Sequence, residues 1–204
     1  MENIVLREVA HGEITEDWLD SFERYQESTQ WYHYEGDELV LGEEWFVDDW
    51  DLEEKREKAA FIRQSLTEGA ALIAAFYTPE LCQGADNAGT DRESAAVSNT
   101  MDPAQAETLA GFTLVLPPVK DGYAELSKLH VARSMRHKGL GRALFLEAKR
   151  AARAMGAQWL FMATNPAMET QQFYRAVGCE DGRDLLSWFT LEYETDLVLK
   201  CKTY

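Results

Sequence analysis

Cysteine is scarce: Cys82, Cys179 and Cys201 are the only 3 in 204 residues. An odd, unpatterned set offers neither a disulfide framework nor a zinc knuckle. Basic residues are also short, 20 Lys and Arg against 36 Asp and Glu, leaving a formal charge of −16. A general nucleic-acid binder needs a basic face for the phosphates, so no nucleic-acid partner is expected. No apolar run reaches membrane-spanning length, and the first residues lack the basic-then-apolar order of a secretion signal. A cytoplasmic protein with no membrane partner follows as the expectation. Histidine is rare too, and His11, His33 and His137 show no ligand spacing with carboxylates or cysteines. No metal is expected.

What is present suits one domain spanning 1–204, long enough to bury a proper core. Ile4 to Val9 alternates as a first strand. Thr15 reads as the N-cap of a helix running to about Gln26, with Trp18, Leu19 and Phe22 on its buried face. Ser28 to Asp51 mixes aromatics and acids without a sustained period and reads as a long connection; helix returns from Asp51 to Ser65. Ala70 to Tyr77 and Gly111 to Leu116 are continuous apolar runs, hence buried strands. Between them 78–110 is small and polar, consistent with a hairpin whose turn has become a mobile insert. Pro117-Pro118 and Asp121-Gly122 mark the next turn.

Against the acidic background, 133–153 is a local basic island. A strand from Tyr123 to Val131 and a short polar turn lead into Arg136-His137-Lys138-Gly139-Leu140-Gly141-Arg142-Ala143. That loop opens a helix whose Leu140, Ala143, Leu144, Ala148, Ala151, Ala152 and Met155 recur at helical spacing. Unpaired first-turn N–H groups, the helix dipole and nearby cations make such a junction an anion site. Gly139 and Gly141 let phosphate oxygens approach the backbone. Gly156 ends the helix, and Trp159 to Thr164 forms a strand. Asn165 as N-cap, Pro166 at the first helical position and Gly178 after the last turn bracket another helix. Asp196 to Lys202 alternates and closes the sheet.

Leu126-x-x-Leu129-x-Val131 followed by Arg136-x-x-Gly139-x-Gly141 resembles motif A of the GNAT N-acetyltransferase superfamily, which binds the pyrophosphate of acetyl-CoA. The succession β-α-α-β-β-β-α-β-α-β, a mixed α/β domain, resembles the whole GNAT fold. Neither a G-x-x-x-x-G-K-[ST] nor a complete G-x-G-x-x-G phosphate motif is present. The resemblance implies acetyl-CoA as co-substrate, with its pantetheine arm pairing along Leu129, His130 and Val131, where that strand splays from its neighbour. The pyrophosphate falls on His137 to Ala143, with Arg136 at the entrance and Arg142 as a further partner. His137 departs from the small residue the family prefers there. Asn165 matches the Asn that contacts the CoA arm. Glu125 matches the general-base glutamate of several members, although a solvent-facing strand Glu reads the same in sequence. Tyr174 matches the general-acid tyrosine near the CoA sulfur. His130 as a lone strand histidine is more often satisfied by the backbone than a proton relay.

The acceptor side is expected at the aromatic–acidic segment 31–51. There Trp31, Tyr32, Tyr34, Trp45 and Trp50 offer ring faces, and Glu35, Glu43, Glu44, Asp48 and Asp49 offer counter-charges for a small cationic amine. The expectation is direct attack in a ternary complex, by a monomer or homodimer. A non-catalytic acyl-CoA-binding module of the same fold is the alternative.

Overall fold

The computed structural model describes residues 3–78, 107–120, 122–188, 191 and 195–204. A seven-stranded sheet organises it, in the order β1-β4-β5-β6-β7-β9-β8. These strands are β1 (Ile4–Glu8), β4 (Ala71–Tyr77), β5 (Thr108–Lys120), β6 (Tyr123–Val131), β7 (Trp159–Thr164), β8 (Glu180–Asp181) and β9 (Leu197–Lys202). Neighbours pair antiparallel except β6 and β7, which run parallel. A two-stranded ribbon of β2 (Tyr25–Glu35) and β3 (Glu38–Asp49) stands apart from the main sheet.

Apolar side chains cover both faces of the sheet. On one face Leu19, Phe22, Trp50 and Ile62 of the N-terminal third pack on Leu72, Phe112 and Leu114. Ile62 comes from α1 (Leu52–Thr67), which starts at Asp51 with a reciprocal cap: Glu54 N–H donates to the Asp51 carboxylate, and Asp51 N–H to Glu54. On the other face α2 (Leu140–Ala154) lays Leu140, Leu144, Phe145, Ala148 and Ala152 against β5 and β6. Its apolar stripe is the one the sequence predicts.

Three local expectations change. Residues 15–26 bury Leu19 and Phe22, as the pattern requires, but form no α-helix. The N–H groups of Trp18, Asp20 and Phe22 each bond three residues back. The Thr15 hydroxyl donates to the Asp17 carboxylate instead of capping a helix. The chain then enters β2 at Tyr25. The connection expected at 28–51 is the β2–β3 ribbon, turned at Gly36 with φ of 63°. A register shift between Ser28 and Gln30 and mixed polarity on both faces hide its period. Asn165 caps no helix either, for α3 (Met168–Ala176) begins after Ala167. The segment before it is held extended: Tyr32 N–H donates to the Pro166 carbonyl at 2.9 Å, and Trp31 bridges to Ala167.

β4 and β5 pair up to Tyr77 opposite Thr108, so the strands flanking the expected insert form a hairpin, and β5 already includes 108–110. Most of the 78–110 segment lies outside the described residues. Pro117 and Pro118 fall inside β5, where its pairing with β6 is interrupted between Leu116 and Lys120, a place where a missing donor costs no ladder bond.

Candidate active site

β6 builds the site because it loses a neighbour part-way along. Its parallel pairing with β7 covers only Tyr123–Trp159, Ala124–Leu160 and Glu125–Phe161. Beyond Glu125 the two strands part. On its other edge β6 pairs Leu126 with Val115 but Lys128 with Leu114, leaving Ser127 as a bulge. A bulge of one residue inverts the alternation that follows. Ala124 and Leu126 pack with the α2 core before it, and Leu129 and Val131 do so after it. Lys128 and His130 therefore face the α1 side, with Lys128 over the Phe61 ring and His130 against Trp50.

The gap opens a cleft of about 1070 Å³ between the ribbon, β6, the end of β7 and the start of α2. Of the sequence-predicted cofactor residues, Leu129, His130, Val131, Arg136, His137, Gly139, Gly141, Arg142, Asn165 and Tyr174 line it. Lys138, Leu140 and Ala143 do not. Lys138 Nζ donates to the Ser134 carbonyl, Leu140 is buried in the core, and the Ala143 N–H donates to the Gly139 carbonyl. The loop conformation has a physical reason at each special position. His137 and Gly139 have φ of 60° and 81°, so a left-handed turn presents the first N–H groups of α2 to the cleft. Gly141 lines the cleft and is also packed closely. A Cβ there would meet the Phe173 ring at 3.3 Å. Arg136 donates from Nε to the Val131 carbonyl, which ties the loop to the end of β6.

The predicted catalytic pair is placed unequally. Tyr174 is 6% exposed, its ring edge-on to Phe145 and Phe173. Burial first, then the adjacent Cys179 and Cys201, pushes its hydroxyl above the usual tyrosine range, so it keeps its proton. Glu125 is half-buried at the last paired position of β6, opposite Phe161, and is not among the cleft-lining residues. Burial raises its carboxyl, partly countered by Lys128.

On the acceptor side Trp31 and Trp50 of the five expected aromatics line the cleft, and Tyr32, Tyr34 and Trp45 do not. Trp45 is 69% exposed and donates to Glu27. Tyr34 donates to Asp181 under the Arg183 guanidinium, and Tyr32 gives its backbone to Pro166. A ribbon alternates its faces, so neighbours that read as one cluster in sequence point apart. The wall is completed by Phe46 and Trp50, with Glu27, Asp48, Asp49, Glu54 and Glu169 among them.

Arg24 was not expected. It is the only basic residue between Arg7 and Lys55, 4% exposed, paired with Asp48 and bonded to Gln26. Gln26 in turn meets Thr170 and Asn165, so one polar chain links the ribbon to the end of β7. A lone cation beside an aromatic–acidic run is the only sequence signal that could have found it. Among the described residues, Arg24 Nε and Asn165 Oδ1 are buried without partners, leaving polar atoms for a bound molecule or water to meet.

The acetyltransferase (GNAT) family model matches residues 7–179. The chain belongs to the GNAT acetyltransferase family. Among solved structures, this GNAT protein is similar to nourseothricin acetyltransferase, at 16% identity, with 99% of each chain covered and a TM-score of 0.62. It is also similar to a putative streptothricin acetyltransferase from Bacillus anthracis in complex with acetyl coenzyme A, at 15% identity, 98% coverage of each and a TM-score of 0.61. A third is the PaiA N-acetyltransferase of Thermoplasma acidophilum with coenzyme A, at 16% identity, 98% coverage of each and a TM-score of 0.51. No curated protein matches the chain. These likenesses show a shared GNAT fold.

Proposed function

We propose that this protein transfers the acetyl group of acetyl-CoA to a primary amine, by direct attack within a ternary complex. The observation that carries the reading is the parting of β6 and β7 directly in front of the α2 N-terminus. One side of that gap is a free strand edge at Leu129 to Val131, suited to the amide groups of a pantetheine arm. Its end is the left-handed loop with Arg136, His137 and Arg142, suited to phosphates. A backbone N–H of the free edge would polarise the thioester carbonyl as negative charge develops on its oxygen. Tyr174, kept protonated by burial, would donate to the departing thiolate.

Direct attack is supported by the state of Cys179. Cys179 and Cys201 are buried, and the hydrogen bond to Cys201 together with burial holds the Cys179 thiol far above its usual range. A thiol so held is a poor nucleophile. The acceptor is a small cationic amine, as Trp31, Phe46 and Trp50 offer ring faces beside Glu27, Asp49, Glu54 and Glu169. Asp48 contributes less, since Arg24 already neutralises it. Two measurements test the reading: acetyl-CoA binding by calorimetry, and thiol release from acetyl-CoA with spermidine, kanamycin, lysine or a lysine-terminated peptide. Amine-dependent thiol release is expected. Tight binding without turnover of any amine would favour a non-catalytic acyl-CoA-binding module.

A further inference from the structure

An amine held in this cleft as an ammonium must lose a proton before it can attack, and the acceptor of that proton must face the cleft. Glu125 does not line it: it is paired opposite Phe161, before β6 and β7 part. His130 does. The Ser127 bulge turns its side chain to the α1 side of the cleft, one residue from the end of the free edge. Its ring is fixed by edge contact with Trp50 at 4.6 Å between centroids, and by Phe112 at 5.4 Å. Neither ring nitrogen has a hydrogen-bond partner among the described residues. An oriented imidazole with free nitrogens at the mouth of a reaction gap is placed to handle a proton.

We propose that His130 is the catalytic base that takes the proton from the acceptor's ammonium. The inference rests on the acetyl-transfer reading above. An imidazole nitrogen lone pair accepts the proton as the N–H bond breaks, and the freed amine pair attacks the thioester carbon. The C–S bond then breaks, its electrons leave on sulfur, and the thiolate takes a proton from Tyr174. The acylated nitrogen loses its second proton through cleft water, which restores the Tyr174 hydroxyl. The imidazolium returns its proton to water in the cleft.

The charges around His130 come from every neighbouring element. Arg24 lies just before β2, Asp48 and Asp49 on β3, Glu54 and Lys58 on α1, Lys128 on β6, and Arg136 in the loop. Burial first, then Arg24, Lys128, Lys58 and Arg136, holds the imidazole neutral well below its usual range. It is therefore in its proton-accepting form throughout the neutral range. The same cations lower the proton affinity of an ammonium brought beside them, which narrows the gap a weak base must bridge.

The experiment compares His130→Gln, His130→Ala and Glu125→Gln with wild type, using whichever of the four amines above wild type turns over fastest. The expected kcat loss in His130→Gln is about 100-fold, and the acid limb of kcat/KM against pH should move up to the ionisation of the free amine. Acetyl-CoA affinity by calorimetry should change less than about twofold, because only backbone is offered to the pantetheine arm. Added imidazole should restore kcat in His130→Ala about tenfold or more, a rescue that a merely structural ring would not show. A His130→Gln kcat within about threefold of wild type, or a larger loss in Glu125→Gln, overturns the assignment. Wild-type inactivity with all four amines overturns the acetyl-transfer reading itself, and this inference with it.

Discussion

Tyr174 and His130 both carry pKa shifts caused first by burial, and the two shifts have separable consequences. Removing the Tyr174 hydroxyl leaves a ring of nearly the same shape between Phe145 and Phe173. Tyr174→Phe should therefore lower kcat by about 100-fold while leaving acetyl-CoA affinity near wild type. Steady-state kinetics with calorimetry check it, and a kcat within about twofold would make the residue structural. His130 also bears on stability. The folded imidazole stays neutral, whereas the unfolded one takes up a proton near its ordinary 6.5. Below that pH the unfolded state binds more protons, so stability falls as pH falls toward the lower folded value. Urea midpoints at about pH 7.5 and about pH 5.5 should differ less in His130→Gln than in wild type. An equal difference would mean that the ring is protonated as readily in the fold as out of it.

Elements carry the next set of consequences. The cap of α1 is complete, with Asp51 and Glu54 each satisfying the other's N–H. Asp51→Ala should cost about 1 kcal/mol of unfolding free energy, read from chemical denaturation. The start of α2 is more demanding. Gly141 lies under Phe173 of α3, so a side chain there must push the two helices apart and also enter the cleft. Gly141→Glu adds negative charge as well, and should weaken acetyl-CoA binding at least tenfold, about 1.4 kcal/mol. Unchanged affinity by calorimetry would remove the phosphate role of the loop. The β2–β3 ribbon is the element that sequence patterning did not reveal. A free two-stranded ribbon is marginal in water. This one is held by tertiary bonds: Tyr32 to Pro166, Gln26 to Thr170, Ser28 to Glu169 and Tyr34 to Asp181.

For the whole molecule the charge of −16 is the relevant quantity. A strongly acidic protein concentrates cations around itself and disfavours anions, and salt screens both effects over about 8 Å at physiological ionic strength. KM for a cationic acceptor should rise with added salt, while KM for the anionic acetyl-CoA rises less or falls. Kinetics at low and high salt with spermidine and a neutral-charge amine check this. A salt-independent KM for spermidine would mean that the carboxylates of the ribbon only keep it solvated.

The sequence by itself determined six of the seven sheet strands, α2 and the glycine loop before it, because in each the signal is local. An apolar run, a helical stripe or a glycine at a left-handed turn is decided by residues within a few positions of one another. The match of Arg136-x-x-Gly139-x-Gly141 to motif A belongs with these, and so does the placing of Tyr174 beside Phe173. Tertiary structure alone decided the ribbon, which is held from α3 and the segment before it. It also decided which aromatics line the cleft: Trp31 faces it and Trp45 does not. Arg24 acquired a role only when folding brought Asp48 and Gln26 to it. That His130 lines the cleft and Glu125 does not has the same origin. A one-residue bulge at Ser127 and the loss of β7 pairing after Glu125 depend on strands distant in sequence, so no local pattern at either residue records them.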